Sequence, residues 1–189
     1  TFVVPPGQPA ELGKRDPGAR YGEHKALATD RLTELVERLQ VLQNRLWAEK
    51  QRAVLLVLQG MDASGKDGTI RRVFTGLNPQ GCRVVSFRPP NEVEREHDFL
   101  WRIHRSIPRD GEIGIFNRSH YEDIVTAAVI GVIDDDRARR RARDVRKFER
   151  MLSNEGTAIV KVFLHLSKGE QRRRLRARLA DPEKRWKFR

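Results

Sequence analysis

Cysteine is nearly absent: Cys82 is the single one among 189 residues. That excludes an internal disulfide framework and suits a reducing compartment, so a cytoplasmic protein is expected. By default this cysteine is a small buried hydrophobe. Long apolar runs are missing too. None approaches the roughly 20 residues of a membrane-spanning helix. Charged residues make up 34% of the chain and the mean hydropathy is −0.65, so no membrane partner is expected. The first residues lack the basic stretch and apolar run of a secretory leader. No segment repeats, which excludes a repeat array.

What the chain has in excess is positive charge, and in one place. The net charge is +12. Residues 1–136 hold 19 Lys and Arg against 20 Asp and Glu, whereas residues 137–189 hold 19 against 6. The whole excess therefore sits in the last quarter. Such a segment is either a solvated helical surface or a track for a polyanion.

Residues 1–23 carry four prolines among several glycines and read as an extended arm. From 24 to 48, Leu27, Leu32, Leu35, Val36, Leu39, Leu42 and Leu46 recur at helical spacing. "AVLLVLQ" (53–59) is a continuous apolar run too short for a lone helix, so it predicts a strand buried on both faces of a parallel sheet. "RVVSF" (83–87), "EIGIF" (112–116) and "AIVKVFLHL" (158–166) predict three more strands. "NEVE" (91–94), "SHYE" (119–122) and "SKGE" (167–170) predict capped helix starts, and Gly131 and "NEG" (154–156) predict stops. Strands alternating with helices imply an α/β fold. A single domain is expected over 24–189, with Asp181-Pro182 ending its last helix.

Three stretches carry chemistry. Gly60, Gly65 and Lys66 fit G-x-x-x-x-G-K between a buried strand and a helix. Glycines let backbone N–H groups of Ala63, Ser64, Gly65, Asp67 and Gly68 face phosphate oxygens, and Lys66 adds a point charge. Two carboxylates, Asp62 and Asp67, sit oddly in such a loop. A divalent cation between them and the phosphates would reconcile them, and magnesium favours that arrangement. Asp62 is the expected metal ligand, while Asp67 suits the positive end of the helix. The second stretch, "GIFNRSHYEDI" (114–124), delivers Asn117 and Arg118 at a strand's C-terminal end, where α/β sheets bind ligands. Ser119 and Glu122 would form a capping box, with Asp123 a second metal carboxylate. The third, "KGEQRRRLRARLADPEKRWKF" (168–188), predicts a basic helical lid. Its Leu175 and Leu179 should pack inward, and Arg174 and Arg178 should share another face.

Taken together, "GMDASGKDGTI", "GLNPQGCRVVSF", "HDFLWRIH", "GEIGIFNRSHYEDI", "FLHLSKGEQRRRL" and "DPEKRWKF" resemble the polyphosphate kinase 2 family over about residues 24–189. The resemblance implies a phosphate-loop kinase fold, a parallel sheet flanked by helices with a helical lid. It implies reversible, magnesium-dependent phosphoryl transfer between inorganic polyphosphate and nucleotides, here the branch acting on nucleoside mono- and diphosphates such as AMP and ADP. Asp62, Lys66, Arg118 and Arg178 match the catalytic positions, with Arg174 as the neighbouring lid candidate. Asn117, Arg118, Ser119 and Tyr121 are the nucleotide-binding candidates, and Asp62 and Asp123 the metal ligands. It further implies a homo-oligomer, for which helix 24–48 is one possible contact. Family members carry the rest of the lid and a final strand beyond the point that matches Arg189. Two other readings compete: an ATP-dependent nucleoside monophosphate kinase on the same fold, and a basic nucleic-acid-binding module. The phosphate loop disfavours the second, and specific nucleic-acid binding is not expected.

Overall fold

The computed structural model describes residues 2–5, 7–19 and 25–183. Residues 20–23 of the expected arm, and 184–189 of the expected lid, lie outside the described residues. The described part of the arm is almost entirely exposed, with one short 3-10 turn at Leu12–Lys14.

Helix α1 (Lys25–Glu49) leads into strand β1 (Ala53–Gly60) and helix α2 (Lys66–Val73). Strand β2 (Cys82–Ser86) follows a 3-10 turn at Pro79–Gly81. Short helices α3 (Glu92–Arg95) and α4 (Trp101–His104) precede strand β3 (Ile113–Asn117). A π-helical turn (Glu122–Thr126) runs into helix α5 (Ala127–Val129), then helix α6 (Asp135–Asn154), strand β4 (Thr157–Leu164) and helix α7 (Lys168–Ala180). All four expected strands are present. They form one parallel sheet in the order β2-β3-β1-β4.

Central β1 is buried on both faces, as its unbroken apolar run requires. Leu55 and Val57 point to one side, with Phe116, Ile103 of α4 and Phe148 and Leu152 of α6. Val54 and Leu56 point to the other, with Leu39 and Leu46 of α1 and Ile70 and Phe74 of α2. Helices therefore cover both faces, as parallel sheets demand. Only part of the leucine stripe of α1 packs on the sheet: Leu27, Leu35 and Leu42 are at least half exposed. Gln43, 1% exposed, takes a place on the packed side instead. Its amide donates to Asn78 O and accepts from Asn78 N, both at 3.1 Å, so the buried polar group is satisfied.

The cap signals fare unevenly. Asn91 and Glu94 make the full reciprocal box. Ser167 accepts from Glu170 N, but the Glu170 carboxylate turns to Arg173 and Arg174. Ser119 and Glu122 make no box. The Ser119 hydroxyl is buried against the side chain of Gln59 and the N–H of Tyr121, and Glu122 accepts from Thr126 Oγ1 at 2.6 Å. The chain leaves β3 through the π-helical turn instead. Helices α5 and α6 stop near Gly131 and Gly156, both at positive φ. No helix among the described residues is long and apolar enough to cross a membrane.

Candidate phosphate-binding site

Parallel strands place the C-terminal ends of β1, β3 and β4 on one edge of the sheet, and the site forms there. The loop after β1 curls through three positive φ angles, 155° at Gly60, 65° at Ala63 and 101° at Gly65. A Cβ on Gly60 would lie 2.7 Å from Ser64 Oγ and 3.0 Å from Leu164 O, so only glycine fits the curl. A Cβ on Gly68, in the first turn of α2, would meet nothing, leaving that side open.

Lys66 opens α2 and is 8% exposed. Its Nζ bends back over the loop, donating to Gly60 O at 2.6 Å and Met61 O at 3.2 Å. Burial first, and then the Arg118 charge, hold its pKa below the ordinary lysine value, against the pull of Asp62, Glu122 and Asp67.

The end of β3 meets the loop twice. Asn117 Nδ2 donates to Asp67 Oδ1 at 2.8 Å, and Arg118 Nη2 to Asp62 Oδ1 at 2.7 Å. The two loop aspartates thus orient the two strand-end residues. Arg118 adopts φ 65°, a left-handed conformation that costs a non-glycine residue about 1 kcal/mol or more and tends to be kept where function needs it. The Arg118–Asp62 pair is open to water, with side chains 38% and 69% exposed. Such a pair is worth at most ~1 kcal/mol and exchanges readily for a phosphate oxygen.

Asp123 is held differently. Its carboxylate is 13% exposed and accepts from Arg102 Nη2 at 2.8 Å. Arg102 is itself buried and also donates to Arg88 O and Glu94. Arg141 of α6 donates to the Asp123 carbonyl at 2.6 Å. Asp62 and Asp123 are therefore each engaged by a different arginine. Among the described residues no three His, Cys, Asp or Glu side chains are grouped to hold a metal ion. Exposed Asp62 suits the kind of ion that takes one or two carboxylates and completes its shell with substrate phosphates and water.

Of the nucleotide-binding candidates, the structure brings Asn117 and Arg118 to the loop. Ser119 is fully buried, and Tyr121 faces a cluster that the sequence did not signal. Glu149 of α6 accepts from Tyr121 OH at 2.8 Å and Lys161 Nζ at 2.7 Å, with His120 Nε2 at 3.4 Å. Burial pushes the Glu149 pKa up, but the bonds from His120, Lys161 and Tyr121 outweigh it and bring it to about 2. Burial, then Glu149, raises that of Tyr121. This network ties the segment after Arg118 to α6 and β4. Its hydrogen-bonded pairs lie 12 to 40 residues apart, so no local spacing could reveal it.

Helix α7, the expected lid, docks on the loop through polar groups. Gln171 Nε2 donates to Asp62 O at 3.0 Å, and Arg174 Nη1 to Ala63 O and Ser64 O, both at 3.1 Å. Glu170 orients Arg174 at 2.7 Å. The expected inward face is corrected. Glu170, Gln171, Arg174, Leu175 and Arg178 are the half-buried set, while Leu179 is 51% exposed. The surface under α7 is a row of loop carbonyls, which calls for donors rather than leucines.

Known proteins agree with this geometry. The family model described as Polyphosphate kinase 2 matches residues 23–189. An AMP/ADP-polyphosphate phosphotransferase of Meiothermus ruber is 52% identical over 190 residues, covering 100% of this chain and 71% of that protein. An ADP-polyphosphate phosphotransferase of Rhodopseudomonas palustris is 46% identical, covering 99% and 69%. The crystal structure of Polyphosphate Kinase 2 from Arthrobacter aurescens TC1 superposes with a TM-score of 0.93 at 40% identity, covering 100% of this chain and 68% of that one. With its phosphate loop, parallel sheet and basic helix α7 in that arrangement, the chain belongs to the polyphosphate kinase 2 family.

Proposed function

We propose that this protein moves a terminal phosphoryl group between inorganic polyphosphate and AMP or ADP, reversibly. The observation that carries the reading is the convergence of Lys66, Arg118 and Arg174 on one glycine-curled loop, in a chain of this family. Phosphoryl transfer needs alignment and charge neutralisation more than covalent chemistry. In this structure Lys66 and Arg174 rest on loop carbonyls and Arg118 on Asp62. Each is a donor already aimed at the loop, and exchanging those partners for phosphate oxygens would leave the apolar core untouched. Arg178, one turn beyond Arg174, is the second lid cation. The acceptor is itself an anionic phosphate, so no strong general base is required.

A divalent cation, magnesium in our reading, would be held by Asp62 and Asp123 together with the phosphates, and would neutralise charge that the cationic side chains leave. Asn117 and Arg118, with Ser119 and Tyr121 shaping the segment behind them, form the nucleotide side. The arm (1–23), the kinase domain (24–189) and a lid starting at about 168 are the proposed organisation of a cytoplasmic homo-oligomer. The test supplies ADP, magnesium and polyphosphate as sole donor, and expects ATP. Turnover only with ATP and a nucleoside monophosphate would overturn the reading. A magnesium titration sharpens it: Asp62→Asn should lose about 10²-fold in rate and need more magnesium. Asp67→Asn should lose much less.

A further inference from the structure

Helix α6 carries two faces with different tasks. Val145, Phe148, Glu149 and Leu152 are buried against the sheet. On the opposite face Arg139, Arg140, Arg143, Arg146, Lys147 and Arg150 are all exposed. At spacings of three and four residues they form two staggered rows that share Arg143 and Arg150, together one stripe about 16 Å long at 1.5 Å per residue. Only Arg139 of these has an ion pair among the described residues, with Asp136. The helix is the crossover from β3 to β4. It therefore starts at the sheet edge that holds the phosphate loop, and Arg141 fixes that start to Asp123. There it borders a concavity of about 280 Å³, lined by His97, Phe99, Arg137, Arg140 and Arg141, with Asp98 and Asp144 also present. The like charge of Arg137, after burial, lowers the pKa of Arg141.

We propose that this line is a second contact surface for the polyphosphate chain, taking the part of the polymer distal to the reacting phosphoryl group and leading it past the concavity into the site. The inference rests on the phosphotransferase reading above. A nucleotide concentrates its charge at one end. A ligand whose charges recur along its length matches cations that recur at every helical turn. Helix α6 packs on the π-helical turn and on β4, while α7 docks on the phosphate loop itself, so the lid arginines and the α6 line contact different stretches of substrate.

The experiment replaces Arg140, Arg143 and Lys147 together by Gln, which keeps helix propensity. KM is then measured for long-chain polyphosphate, for tripolyphosphate and for ADP. KM for the long polymer should rise on the order of tenfold, since a one-sign surface raises local ligand concentration by at least that much. KM for tripolyphosphate and ADP should hold. Removing three charges from α1 (Arg31, Arg38 and Arg45 to Gln) should leave all three constants unchanged. An unchanged long-polymer KM would show a merely solvated face. A matching rise in the ADP KM would assign the surface to the nucleotide. Equal competition by single-stranded RNA would assign it to polyanions at large. Each of these overturns the proposal while leaving the phosphotransferase reading intact. A parent protein inactive with every polyphosphate would instead sink that reading, and this proposal with it.

Discussion

Helices α6 and α7 are written in nearly the same alphabet, arginine above all, yet they are held in place by different means. α6 buries an apolar stripe, Val145, Phe148 and Leu152, and places Phe148 and Leu152 in the core that also contains Leu55 and Phe116. α7 buries none of its residues and rests on the phosphate loop through Gln171 and Arg174. Apolar burial cannot be exchanged for a substrate contact, whereas a hydrogen bond to a loop carbonyl can. The first helix is scaffold. The second, in the proposed reading, is a cover whose own anchors are the groups a phosphate would recruit.

The sharpest test of that contrast is core truncation. Phe148→Ala should cost about 3–5 kcal/mol, read as the urea midpoint. Leu175→Ala on α7 should cost well under half of that. Equal losses would break the distinction. Next comes Glu149, the carboxylate through which α6 also grips the segment after Arg118. Its folded pKa of about 2 lies below the ordinary value of 4.5. It therefore stabilises the fold fully above about pH 5, and that contribution is lost as pH falls from there toward 2. The size is on the order of 3 kcal/mol. Stability of the parent should drop across that acid range, and Glu149→Gln should flatten the drop while lowering stability at neutral pH. A parent and variant with parallel acid profiles would remove Glu149 from the account.

For α7 the expected loss is catalytic. Arg174→Ala should lower kcat about 10²-fold, near 2.7 kcal/mol of barrier, while Tm stays almost unchanged. Arg178→Ala, measured beside it, reports how the work divides between the two. A variant that melts early and still turns over would make Arg174 a strut rather than a participant. Smallest of all, Leu179→Ser should change neither stability nor turnover appreciably, because Leu179 faces solvent.

Much of this was legible in the sequence, for identifiable reasons. The four strands and the phosphate loop are encoded locally, in apolar runs bounded by turn residues and in glycine spacing. Asn117 and Arg118 could be placed because a strand's end is also the site's edge. The inward face of α7 was not legible. Leucine spacing predicts which residues align, but the partner surface decides which line turns inward, and here it is polar. The missing cap at Ser119 has a similar cause: burial gave its hydroxyl nearer partners. Arg102, Glu149 and Lys161 act through residues far off in the chain, so only the fold reveals them.

The register of β1 has a consequence for the order in which the protein is built. β1 pairs on one side with β3, Val54 beside Ile113, and on the other with β4, Ala53 beside Thr157 and Gly60 beside Leu164. Parallel pairing across such separations closes large loops before any contact rewards it, which makes folding slow. On a ribosome, the first strand must wait, half covered, until the fourth has emerged. The Leu164 carbonyl packs against Gly60, so the curl proposed to receive phosphate takes its final shape only then. A nascent or truncated chain ending before Leu164 should bind no phosphate, however much of the motif it already contains.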